Sequence, residues 1–147
     1  MQDTSKPFPL NAFRICIDHG KKDVLGTAFS PLTKYAIPFY GLGELLVKMD
    51  AIFDQQGYPQ SFQDKRSFEK EKKLQNRYRG LPGYQMESKI IREKKGEEVT
   101  LDVMITARKN TSWQGYLLDL EGSTIQSFSG ELALMDGIIN YIENRQR

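Results

Sequence analysis

The chain has 147 residues, of which 39% are hydrophobic and 27% charged, and its formal net charge is +2. This length and composition predict one globular domain, residues 1–147, that can bury a core without disulfides or structural metals. A lone cysteine cannot form an intrachain disulfide, no leader-like N-terminal pattern is seen, and apolar runs stop well before the roughly 20 residues of a membrane span. We therefore expect a cytoplasmic protein that does not associate with membranes.

The first part of the chain predicts three strands and then a helix. Apolar residues alternate with other residues over 13–17, which is the period of a half-buried strand. Further strands are predicted at about 25–29 and 35–39. A helix is predicted from near Gly41 to about Gly57, because apolar residues recur every three or four positions. These residues are Leu42, Leu45, Leu46, Met49, Ile52 and Phe53.

Residues 60–83 form an insert of different character. Between positions 65 and 79, seven basic side chains accompany two acidic ones, a local excess of +5, and aromatic residues lie among them. Such a segment is typical of surfaces that neutralise phosphates and stack bases. A solvated helix, with Glu69 and Lys73 paired at i, i+4, is the other interpretation. The residues predicted to bind nucleic acid or a partner are Phe62, Lys65, Arg66, Phe68, Lys72, Lys73, Arg77, Tyr78 and Arg79.

The rest of the chain predicts four strands and a second helix. Strands at about 86–93 and 98–107 are expected to form a hairpin, because apolar residues alternate in the second of them. Strands at about 113–120 and 124–128 follow. A helix is then predicted to open at Ser129, a good N-cap residue. Its apolar stripe is Leu134, Met135, Ile138, Tyr141 and Ile142.

The two halves of the chain match each other at an offset of 89 residues. Three gap-free pairs support the match: Gly26 with Gly115, Phe39 with Phe128, and Gly41 with Gly130. The match predicts an internal repeat of a ββ-β-α unit, over residues 12–57 and 98–145. Chance agreement between two amphipathic helices is the alternative. The predicted fold is α+β: one antiparallel sheet of about seven strands, with two helices on one face.

Several short motifs resemble those of a family of small cytosolic proteins from Gram-positive anaerobes. They include FYGLGELL at 39–46 with Met49-Asp50, Pro59-Gln60-Ser61, Arg66-Ser67-Phe68, SWQG at 112–115 and LEG at 120–122. The resemblance implies a cytosolic bacterial protein. Because no activity is attached to that family, it implies neither a catalytic residue nor a cofactor.

A second resemblance lies in the turn that precedes SWQG. Asn110, Ser112 and Gly115 match the Asn/Asp-x-Ser-x-x-Gly pattern of the PilZ family of cyclic dinucleotide receptors. In such a site arginines bind phosphates and the polar turn contacts guanine. The family's upstream arginine arm has no clear counterpart here, and the same residues also favour a plain turn. The ligand-binding residues that this resemblance implies are Arg108, Asn110, Ser112 and Trp113.

The sequence contains no evident catalytic constellation or metal site. Cys16 and His19 are the only residues of their types. Residues three apart on a strand point to opposite faces, and two ligands cannot complete a zinc site. We therefore expect a non-catalytic cytosolic binding or adaptor protein, without cofactor or metal, whose partner is another protein. Nucleic-acid binding through segment 62–79 and a PilZ-like cyclic dinucleotide receptor are the alternatives.

Overall fold

The computed structural model describes residues 7–57, 61–62, 83–109 and 112–145, and the fold within them is α+β, as predicted. The strands are β1 Ala12–His19, β2 Leu25–Phe29, β3 Ile37–Tyr40, β4 Ser61–Phe62, β5 Val99–Lys109, β6 Ser112–Leu118 and β7 Thr124–Ser129. The helices are α1 Leu42–Gln56, α2 Ser88–Glu93 and α3 Glu131–Arg145. Over these ranges, no helix combines the length and the apolar character needed to cross a membrane.

Six strands form an antiparallel sheet in the order β3-β2-β1-β5-β6-β7. The central pair, β1 and β5, is in register from Ala12 opposite Met104 to Ile17 opposite Val99. The two residues of β4 add to the far end of β5 in parallel. Each half of the sheet is therefore a three-stranded meander that leads into a helix, and the halves meet at β1 and β5.

The helices α1 and α3 cover the same face of the sheet. Their apolar side chains join those of the strands in a single core cluster. Leu45 and Ile138, one from each helix, are 0% and 1% exposed, and the ring of Phe13 meets that of Phe53 edge to face at 5.3 Å. The predicted apolar stripes of both helices are confirmed. Gly57 ends α1 with a left-handed φ of 66°, the conformation that favours glycine at this position.

The opposite face of the sheet carries a third helix that the sequence analysis did not predict. The expected strand at 86–93 is wrong, because residues 88–93 form α2. The predicted hairpin is therefore also wrong, and β5 pairs with β1 instead. Within α2, Ile91 is fully buried against this face whereas its neighbour Ile90 is 41% exposed. A six-residue helix is too short for its apolar period to be distinguished from a strand's.

Burial beneath α2 changes the character of β1. Residues 12–17 are buried on both faces of the sheet, whereas the alternating pattern predicts a half-buried strand. Arg14, which occupies the face expected to be polar, is 0% exposed. Its guanidinium donates to both carboxylate oxygens of Asp102, at 2.5 and 3.2 Å, and to the carbonyl oxygens of Arg92 and Lys94. Arg14 thus connects the C-terminal end of α2 to the sheet.

Two glycines 89 positions apart make matching hydrogen bonds where each meander meets its helix. The N–H of Gly41 donates to the carbonyl oxygen of Val24, and that of Gly130 donates to the carbonyl oxygen of Trp113, both at 2.7 Å. Their φ angles are 95° and 100°. Because L side chains disfavour positive φ, glycine permits both chain reversals.

Candidate functional site

A cleft of about 400 Å³ opens on the helical face of the sheet. It is bounded by α1 on one side and by the first residue of α3 on the other. The lining residues come from four separate elements, which only the folded topology brings together. They are Leu46, Val47, Asp50 and Asp54 of α1, Arg108 of β5, Trp113 of β6 and Glu131 of α3.

Arg108 lies at the base of the cleft with its side chain 3% exposed. Its Nη1 donates to Asp50 Oδ1 at 3.0 Å and its Nη2 to Asp54 Oδ1 at 2.8 Å. The guanidinium carbon also lies 5.3 Å from the centre of the Phe53 ring, within cation–π range. The two carboxylates sit one helical turn apart and are 50% and 63% exposed. The positive charge of Arg108 is therefore buried, while the two carboxylates that pair with it reach the surface.

Trp113 forms part of the floor and is only 2% exposed. Its ring meets that of Phe53 edge to face at 6.1 Å. Its backbone N–H donates to Glu131 Oε1 at 3.4 Å, and its carbonyl oxygen accepts from Gly130. Trp113 therefore fixes the start of α3 and packs in the core.

The residues of the cyclic dinucleotide hypothesis come together only in part. Arg108 and Trp113 face each other across the β5–β6 ladder, and Ser112 pairs with Lys109 at its end. Asn110 lies outside the described residues. Since two aspartates already hold the Arg108 guanidinium, a phosphate would have to compete with both of them.

Most residues of the predicted basic surface lie outside the described ranges. Phe62 belongs to β4, where its backbone pairs with Lys109. The other predicted residues, Lys65, Arg66, Phe68, Lys72, Lys73, Arg77, Tyr78 and Arg79, are not among the described residues.

Cys16 and His19 lie in different environments in the folded chain. Cys16 is 3% exposed and packs on the face covered by α2. Burial raises the pKa of its thiol to about 12, so the nucleophilic thiolate is scarce at neutral pH. His19 lies at the exposed end of β1. Among the described residues, no three or more His, Cys, Asp or Glu side chains are grouped as a metal site.

The acidic rim of the cleft is not predicted by any motif in the sequence. Asp50 and Asp54 are four residues apart, a spacing that places them on one flank of a helix. That spacing is the only local signal for the site. Arg108 lies more than fifty residues further along the chain, and only strand pairing brings it under α1.

A scan against models of known protein families, a search of curated proteins and a search of solved structures each find no match to this chain. The family resemblance drawn from FYGLGELL and SWQG therefore stays a prediction.

Proposed function

We propose that this protein is a non-catalytic binding module that recognises a basic, partly apolar segment of another protein in the cleft between α1 and α3. The observation that carries the proposal is the arrangement around Arg108. A buried guanidinium there orients two half-exposed carboxylates outward on α1. Groups held in place by a buried partner lose little entropy on binding, so they suit recognition.

The charge of the cleft favours a cationic ligand. Three carboxylates line it, those of Asp50, Asp54 and Glu131, against one guanidinium. The segment that contains α3 is also acidic, since residues 112–145 contain five acidic side chains and one basic side chain. A basic partner would be attracted and guided to this surface, whereas the phosphates of a nucleic acid would be repelled.

Apolar side chains are exposed on both of the helices that bound the cleft. Val47, which lines the cleft, is 70% exposed, and Leu132 and Ile139 on α3 are 74% and 39% exposed. Leu132 and Ile139 are seven residues apart, so they lie on one side of that helix. A partner segment with both apolar and basic residues could bury these side chains and pair with the aspartates.

The proposal is tested by binding of a short amphipathic leucine–lysine peptide, followed by fluorescence anisotropy. Val47→Lys places a positive charge on the rim without altering the contacts of Arg108. We expect it to weaken binding by about tenfold, since each 1.4 kcal/mol is one decade of affinity. Ala51→Lys is the matched control, because it adds the same charge at an exposed position of α1 that does not line the cleft. Equal binding by the two variants would contradict the proposal.

Nucleic-acid binding through segment 62–79 is the second candidate, favoured by the local charge of +5 over residues 65–79. Neutralising phosphates releases counterions, so log affinity should fall with log salt by about 0.7 to 0.9 per phosphate contact. Replacing Lys72, Lys73, Arg77 and Arg79 by alanine should flatten that slope by about three. Equal slopes for the wild type and this quadruple variant, measured with oligothymidylate, would eliminate the candidate.

The scaffold that carries the cleft is proposed to be an internal duplication of one strand-rich unit followed by a helix. The matching hydrogen bonds of Gly41 and Gly130 support it, because they occur 89 residues apart at the same step of each half. So does the sheet order, in which each meander runs outward from the centre. An experimental structure in which residues 24–54 and 113–143 fail to superpose would contradict the duplication.

A further inference from the structure

The sheet has two outer strands, β3 and β7, whose exposed edges can be compared residue by residue. In an antiparallel ladder, alternate residues direct their backbone N–H and C=O groups away from the neighbouring strand. Gly41 bonds inward to Val24, the residue before β2, and Gly130 bonds inward to Trp113 of β6. The outward residues are therefore Pro38 and Tyr40 on β3, and residues 127 and 129 on β7.

The edge of β3 is closed by its own sequence and by side chains of α1. Pro38 has no N–H to offer, and its carbonyl oxygen accepts from Lys48 Nζ at 2.6 Å. The N–H of Tyr40 donates to Glu44 Oε1 at 3.2 Å. Lys48 and Glu44 are in turn ion-paired at 3.1 Å. An additional strand would have to displace both side chains, and Pro38 would still offer it no N–H donor.

The edge of β7 lacks each of these devices. The positions 89 residues after Pro38, Tyr40, Glu44 and Lys48 hold Ser127, Ser129, Ala133 and Gly137. Ser127 therefore has the outward N–H that Pro38 lacks, and short residues stand in place of the glutamate and the lysine. Among the hydrogen bonds of the described residues, none reaches the backbone groups that Ser127 and Ser129 direct outward. The strand contains neither a charged residue nor a proline. Exposed edges usually carry such protection against pairing.

We propose that β7 pairs antiparallel with β7 of a second copy of this chain across a two-fold axis, which joins the two sheets into one. In a two-fold pair, the outward N–H and C=O groups of one β7 strand face the outward C=O and N–H groups of the other, as a symmetric interface requires. Because β7 has no charged side chain, no like charges oppose each other on the strand pair. This surface is separate from the cleft, so the inference does not depend on the proposed function.

The helix above β7 is also suited to a second copy. Gly137 lies over β6 and β7, since a Cβ there would be 2.8 Å from both Leu117 and Gln126 side-chain atoms. A helix so placed would lie about 10 Å, two strand spacings, from its symmetry mate. Helices pack at about 8 to 10 Å, so this separation would bring the two copies of α3 into contact. An isolated peptide strand would leave this helical flank uncovered.

Sedimentation equilibrium over a range of protein concentrations tests the proposal. We expect the wild type to be a reversible dimer and Ser127→Pro to be a monomer at the same concentrations. The substitution copies Pro38 of β3, and it removes an N–H that points away from β6, so the β6–β7 ladder keeps its bonds. Ser127→Ala is the matched control, because it removes the hydroxyl but keeps the N–H, and it should still dimerise. Val47→Lys, in the cleft, should dimerise like the wild type.

Hydrogen exchange keeps the test decisive if Ser127→Pro does not fold. In the wild type, the amides of Ser127 and Ser129 should exchange more slowly as the protein concentration rises, and the amide of Tyr40 should not respond. A wild type that stays monomeric up to about 1 mM, corresponding to only about −4 kcal/mol of association, would overturn the proposal. So would dimerisation that Ser127→Pro leaves unchanged, or an extended peptide that binds β7 of a monomeric wild type.

Discussion

Arg14 of β1 and Asp102 of β5 form a buried, bidentate ion pair at the centre of the sheet, where its two halves meet. The Arg14 guanidinium also binds two carbonyl oxygens at the end of α2. Burial raises the pKa of the Asp102 carboxyl above its usual value, and the hydrogen bonds from Arg14 act against that rise. One side chain therefore links β1, β5 and α2.

Asp102→Asn should cost about 3 to 5 kcal/mol of unfolding free energy, because it leaves the buried Arg14 guanidinium without its counter-charge. Urea denaturation monitored by Trp113 fluorescence measures the change. Glu44→Gln is the control, since Glu44 pairs with Lys48 at the surface, and we expect its midpoint to shift little. Equal shifts in the two variants would mean that the central pair contributes no more than a surface pair.

The two sides of α1 should respond very differently to truncation. Leu45 is 0% exposed and Val47 is 70% exposed, although they are only two positions apart. Leu45→Ala should cost about 2 to 5 kcal/mol, because it removes buried methyl groups and leaves a cavity. Val47→Ala should stay within about 0.5 kcal/mol of the wild type. Similar denaturation midpoints for the two variants would contradict the assigned face of α1.

Two glycines in the sheet should not tolerate even one added methyl group. A Cβ at Gly26 would lie 2.0 Å from the carbonyl oxygen of Cys16, and a Cβ at Gly115 would lie 1.9 Å from that of Met104. Because backbone atoms of a central strand cannot move aside easily, Gly26→Ala and Gly115→Ala should each cost about 3 kcal/mol or more.

Gly43→Ala is the matched control for these two substitutions. Gly43 lies within α1, and a Cβ added to it would have no neighbouring atom within 4 Å. Alanine there should stabilise the protein by up to about 1 kcal/mol through helix propensity. Thermal melts of the three variants give the comparison, and a Gly115→Ala protein as stable as Gly43→Ala would refute the close strand approach.

The buried thiol of Cys16 should make the protein lose stability in alkali. The thiol has a pKa of 9.0 without the fold and about 12 within it, so the unfolded chain releases this proton first as the pH rises. The contribution of this thiol to the free energy of unfolding is constant below pH 9.0 and falls by about 1.4 kcal/mol per pH unit between the two pKa values. Urea midpoints between about pH 8 and pH 11 measure this slope. Cys16→Ala should flatten it, and unchanged slopes would contradict the raised pKa.

The sequence predicted elements well where a long pattern repeats. Both long helices and their buried faces follow from apolar residues at helical spacing, and the left-handed glycine that ends α1 follows from its position. The pattern failed at residues 86–93, where six helical residues are too few to separate the period of a helix from that of a strand. It failed again at Arg14, which alternation alone assigns to a solvent-facing position.

The sequence by itself therefore determined the long helices, most strands and the α+β class, because each depends on the order of residues within one segment. Only the tertiary structure decided that α2 covers Arg14, that Arg108 lies under Asp50 and Asp54, and that side chains of α1 bond to the outer edge of β3. These features join residues far apart in the chain. Their positions depend on which strands pair and in what register, and local periodicity carries no information about either.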